Sequence, residues 1–211
     1  MRVIPLSKVP ATSRRFYDFG ILSEVLGPIP EASFIFVSGS PGAGKSTLIA
    51  QALSAYTRDG KYAVYASLEE EERNIKARFD RLKLATEHIH VVDSTNIHEV
   101  LAFCEKNAIR CLFIDSIDCM HDESNAADLL QKKNVAMAIR NWTKKNKAIC
   151  ICISQVNKND TLSGLKAVEH ISDCNMEIDV DGENRSIQAR KCRFGPAGII
   201  HAYSMTPEGL R

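Results

Sequence analysis

Residues Gly39 to Ser46 read GSPGAGKS and fit the pattern G-x-x-x-x-G-K-[ST] in full. Glycines at Gly39, Gly42 and Gly44 let the backbone wrap with its N–H groups turned inward, a shape that suits a chain of phosphates. Lys45 is spaced to reach the β- and γ-phosphates, Ser46 to ligate Mg²⁺ and Thr47 to lie near the α/β-phosphates. Gly39, Ser40, Pro41, Gly42, Ala43, Gly44, Lys45, Ser46 and Thr47 form the candidate nucleotide-binding set. ATP is the expected nucleotide and Mg²⁺ its cofactor.

A carboxylate from another element must hold the metal as well. The run CLFIDS ends in Asp115, at the edge where ligands bind in parallel sheets. Asp118 is the alternative, but it lies past the run and is expected to be exposed. Hydrolysis also needs a carboxylate to orient or deprotonate water. YASLEEEE places Glu69 just beyond a strand, with Glu70 as second choice. Glu71 and Glu72 read as first-turn acids that complement a helix dipole. ICISQ ends in Gln155, an amide able to sense a γ-phosphate or else a solvated strand end. Near the C-terminus RKCRFG, Arg190 to Gly195, gathers three cations. They need either an anion or an intrachain carboxylate, such as Glu177 or Glu183.

These residues are hung on alternating elements. Apolar β-type runs are Ser33–Gly39, Tyr62–Ser67, His88–Asp93, Arg110–Ser116 and Ala148–Ser154. Helical patterns cover Lys45–Arg58, Glu70–Leu84, Asn96–Asn107 and Ala126–Lys145. After Ser154 the helical pattern weakens, and CNMEID, RSIQARK and GIIHAYSM read as strands joined by turns. The expected class is α/β, with a mostly parallel central sheet, helices on both faces and an antiparallel C-terminal extension. One domain over 1–211 is the simplest division, with 1–12 as a short N-terminal segment.

A 45% hydrophobic content suits a sizeable core, and a net charge of +1 excludes a globally basic nucleic-acid binder. The seven cysteines are scattered without C-x-x-C spacing, which points to reduced thiols rather than zinc. No apolar run approaches the ~18–20 residues of a membrane span. A cytoplasmic protein with no membrane association is expected.

In order, the motifs resemble the RecA-like P-loop NTPase core, most closely the bacterial RadA/Sms family of DNA repair and recombination ATPases. SLEEEERNIKARFDRLKL is similar to that family's SGEES..QI..RA.RL stretch, and SGLKAVEHISDCNMEID to its AGP..LEH.VD.VL.FE stretch. KCRFG matches the signature KNRFG with Cys192 in place of Asn. The resemblance runs from about Thr12 to Leu210. It implies a ring or filament of identical subunits in which Lys191 and Arg193 reach the γ-phosphate on a neighbouring protomer. It also implies single-stranded or branched DNA facing the loops after Asp115 and Gln155. Lys132, Lys133, Lys158 and Lys166 are the candidate DNA cations there, although Asp122, Glu123 and Asp128 make the first loop acidic. The family's N-terminal zinc module and C-terminal Lon-like domain have no counterpart in the sequence, so a minimal or excised core is expected. A clock-type or signalling ATPase and a non-catalytic nucleotide-gated adaptor are the alternatives.

Overall fold

The computed structural model describes residues 4–8, 13–124, 126–155, 163–182 and 184–211. The chain runs β1 (Phe16–Tyr17), α1 (Ile21–Leu26), β2 (Ile29–Pro30), β3 (Ser33–Gly39), α2 (Lys45–Thr57), β4 (Ala63–Ser67), α3 (Glu72–Arg81), β5 (Ile89–Val92) and α4 (Ile97–Lys106). It continues through β6 (Cys111–Asp115), α5 (Asp128–Asn146), β7 (Ile149–Gln155), α6 (Ser163–Ile171), β8 (Cys174–Asp181), β9 (Asn184–Cys192), β10 (Ile200–Thr206) and β11 (Gly209–Leu210). β1 and β2 pair with each other, and the remaining strands form one nine-stranded sheet in the order β11-β10-β9-β8-β3-β7-β6-β4-β5.

From β8 to β5 every neighbouring pair is parallel, and β9 and β10 add an antiparallel edge. The central strands are apolar on both faces because helices cover both. Side chains alternate along β3: Ile35 and Val37 pack with Leu48, Leu53 and Phe79 on one side. Phe34 and Phe36 pack with Val135, Ile139 and Trp142 on the other. Period-two alternation thus sorts one strand into both cores.

The expected elements recur with shifted ends. α3 starts at Glu72 rather than Glu70, because Glu71 is extended at φ −67°, ψ 148°. α4 begins at Ile97, one residue later than expected, because Asn96 caps it: its side chain accepts a hydrogen bond from the His98 N–H at 2.9 Å. Two helices went unread: α1, six residues long, and α6, nine. Each is too short to repeat an apolar stripe, yet Leu22, Val25 and Leu26 of α1, and Val168 and Ile171 of α6, are buried. Among the described residues no helix is long and apolar enough to cross a membrane.

Candidate nucleotide site

The C-terminal ends of the central strands line up. Gly39 pairs with Gln155, Ser67 with Asp115 and Asp115 with Ile153. This register brings residues from four strands to one rim, the ligand-binding edge of a parallel sheet. There a cavity of about 350 Å³ is lined by Pro41, Gly42, Gly44, Lys45, Ser46, Thr47, Glu69, Glu70 and Asp115, with Arg78, Ile153, Arg185 and Met205.

The loop after β3 turns through left-handed backbone at Gly44 (φ 97°) and feeds straight into α2. That positive φ is what reserves the position for glycine, since a Cβ there would otherwise meet only the movable end of Met205. The Lys45 ammonium curls back to donate to the Gly39 and Ser40 carbonyls at 2.8 and 2.9 Å. Burial pushes its pKa down, against the raising pull of Asp115, Glu69 and Asp118. Asp115 is 6% exposed and accepts from the Tyr65 hydroxyl at 2.7 Å and from the Ser46 hydroxyl. Burial raises its pKa, and these two donors only partly oppose that. A nearly buried carboxylate touching the serine of the phosphate loop is a donor set that fits a hard divalent cation. The buried ammonium and the first-turn amides of α2 fit a polyphosphate.

Glu69 lies at the cavity mouth and accepts from the Ser116 hydroxyl at 2.7 Å. Glu70, the second choice, is ion-paired to Arg78. Asp118 is not solvated as expected: it accepts from the Ser154 hydroxyl at 2.5 Å and pairs with Lys132 at 3.2 Å.

Residues 19–102 match the family model described as ATPase: KaiC. The chain is 30% identical over 214 residues to the "DNA repair protein RadA" of Escherichia coli, and 31% identical over 189 residues to that of Aquifex aeolicus. Those alignments cover 99% and 87% of this chain but 46% and 42% of the relatives, so the chain spans less than half their length. A KaiC-like protein of Pyrococcus horikoshii superposes with a TM-score of 0.77 at 19% identity, covering 95% of this chain and 98% of that one. A second solved ATPase domain gives a TM-score of 0.71 at 13% identity, covering 85% and 84%. The chain has a RecA-like ATPase fold.

The C-terminal cation cluster lies away from this cavity. Lys191 pairs in register with Asn175, which pairs with Phe36, three residues before Gly39. At about 3.3 Å per residue its backbone is set roughly 10 Å back from the phosphate loop along the strands, and it lies two strands across. The Lys191 ammonium donates to the Glu169, His170 and Ser172 carbonyls at 2.7, 3.3 and 2.7 Å, at the end of α6. Arg193 pairs with Asp173 at 3.2 Å, and Arg190 takes Glu177 at 2.6 Å. So Glu177 is not the partner of Lys191 or Arg193, and Glu183 lies outside the described residues. Lys132 is held by Asp118 and Asp128, at 3.2 and 3.6 Å, while Lys133 and Lys166 are exposed. Lys158 lies outside the described residues. Gln155 ends β7 opposite Gly39.

Tyr65, Arg78, Ser116 and Arg185 also contact site residues and are not among the sequence candidates. Arg185 is 9% exposed and donates to the Ala43 carbonyl at 3.0 Å, bracing the phosphate loop from β9. No motif marks it, because its partner is 142 residues away. Tyr65 had a signal: a hydroxyl inside an apolar strand needs a buried acceptor.

Proposed function

We propose that this domain hydrolyses ATP at the β3–β4–β6 rim and works on DNA as a head-to-tail homo-oligomer. The observation that carries the reading is the convergence of Lys45, Ser46, Asp115 and Glu69 on one cavity. Lys45 turns from the loop carbonyls to the β- and γ-phosphates, and the N–H groups of residues 42–47 cradle the chain. Ser46 and Asp115 would hold Mg²⁺, which would supply charge neutralisation at the phosphate oxygens. Glu69 orients or deprotonates the attacking water, since Arg78 already engages Glu70. Gln155 senses the γ-phosphate and passes its state to the segment that follows.

Lys191 and Arg193 serve the neighbouring protomer. Their place behind the phosphate loop keeps them from their own γ-phosphate, and a head-to-tail contact presents such an edge to the next subunit's rim. They stabilise charge in the transition state there. DNA is proposed from the relatives' printed name, with Lys133 and Lys166 as exposed cations on the packed pair α5 and α6.

Glu69→Gln tests the core of this reading. Nucleotide binding should persist while turnover falls roughly 10²-fold or more. Near-normal turnover would move the base elsewhere. Titration with single-stranded DNA at rising salt tests the partner: affinity should fall steeply as counterion release weakens. A chain that hydrolyses ATP without salt-dependent binding would instead be one that switches protein partners.

A further inference from the structure

Cys192 stands inside the cation cluster, and directly opposite it on β8 stands Cys174. Antiparallel partners keep their Cα atoms about 4.5–5.5 Å apart, inside the ~4.4–6.8 Å window that a disulfide spans. Side chains of opposed residues also leave the sheet on the same face. Both thiols are reduced; Cys174 is buried and Cys192 half-buried. The Cys174 thiol hydrogen-bonds to the Cys192 sulfur. Backbone N–H groups of Phe194 and Gly195 point at the same sulfur. The turn that aims them packs closely on the end of α1, where a Cβ at Gly195 would lie 2.1 Å from the Leu26 carbonyl oxygen. Lys191 and Arg193 flank it in sequence.

We propose that Cys192 and Cys174 form a thiol-oxidation site, in which Cys192 reacts with a hydroperoxide and Cys174 resolves the product to a cross-strand disulfide. The Cys192 thiolate attacks a peroxide oxygen, the O–O bond breaks and hydroxide leaves, giving a sulfenic acid. The Cys174 sulfur then attacks the Cys192 sulfur, the S–O bond breaks and water leaves with the Cys174 proton. In sum two thiols lose two electrons and one hydrogen peroxide becomes two waters.

Exposure alone points to a different residue. Cys119 is the exposed cysteine among the described residues, yet its neighbours are Glu69 and Asp118, and its pKa is raised, by burial first and then by those carboxylates. Cys192 is brought down to about 6, chiefly by the Cys174 hydrogen bond, aided by the two backbone N–H groups and against burial. At about pH 6.5 most of Cys192 is thiolate, against roughly one per cent of an ordinary thiol. Lower basicity costs some nucleophilicity, so a several-fold rate advantage remains.

The disulfide would tie the start of β8 to the end of β9 and hold Lys191 in its contacts with α6. This consequence for turnover rests on the trans role proposed above; the oxidation chemistry does not. The test treats the full chain with limiting hydrogen peroxide at about pH 6.5, followed by intact mass and peptide mapping without reductant. A loss of two hydrogens, a linked Cys174–Cys192 peptide and recovery with dithiothreitol are expected. Cys174→Ser should leave Cys192 as a sulfenic acid captured by dimedone, and Cys192→Ser should abolish the linked product. Cys192 reacting no faster than Cys119, or dimedone capture at Cys119 alone, overturns the proposal. Unchanged ATPase activity in a chain shown to carry the disulfide would leave the oxidation site standing and overturn only its link to Lys191.

Discussion

Asp115 combines two demands that pull against each other. Its carboxylate must be charged to hold a metal, yet β6 buries it between Tyr65 and Ser46. Burial raises its pKa above the unfolded value, so the folded state keeps this proton to higher pH than the unfolded chain does. The group therefore favours folding at low pH and loses that contribution as pH rises through its folded pKa. Asp115→Asn removes the loss while its amide oxygen still accepts from Tyr65. In metal-free buffer the variant should melt above wild type near neutral pH, with the gap closing towards about pH 4. A constant gap across that range would show that desolvation is not the cause. With Mg²⁺ and ATP the order should reverse, because only the wild type gains ligand stabilisation.

Lys191 acts on an element whatever it does across an interface. Its ammonium meets the carbonyls of Glu169, His170 and Ser172, the C-terminal groups that α6 cannot satisfy itself. Lys191→Met should lower unfolding stability by roughly 1–2 kcal/mol, read as a shifted denaturant midpoint with an unchanged slope. Asn96→Ala should cost about 1 kcal/mol through the lost cap of α4, with turnover unaffected. Such elements differed in how openly the sequence announced them. β3 runs from Ser33 to Gly39 as its apolar pattern predicted, and the phosphate loop then starts α2 at Lys45. That much is local chemistry. Long-range partners were not legible: Arg185 reaching Ala43, Arg78 holding Glu70, and Lys132 committed to Asp118. The cation cluster was visible as a motif, but the carbonyls it caps belong to a helix too short to leave a periodic signal.

At the scale of the whole molecule, the question is whether the edge bearing Lys191 and Arg193 completes another subunit's site. Loss of activity in Lys191→Met alone cannot decide, because the α6 contacts make the variant less stable in any case. Mixing decides. Lys45→Ala removes the phosphate cation at the C-terminal rim and leaves the opposite edge intact. Lys191→Met does the reverse. In a mixed head-to-tail assembly, some contacts join the intact rim of one variant to the intact edge of the other, a pairing neither protein forms alone. Turnover should therefore reappear on mixing, to a fraction set by random assembly, roughly a quarter of interfaces at equal input when each interface pairs two independently drawn subunits. The mixture should be assayed with Mg²⁺ and single-stranded DNA, below the denaturant level at which Lys191→Met begins to unfold. Mixed assembly should be verified by a tag carried on one variant only. Demonstrably mixed oligomers that stay inactive would return Lys191 to the capping of α6 and place the transition-state cation elsewhere.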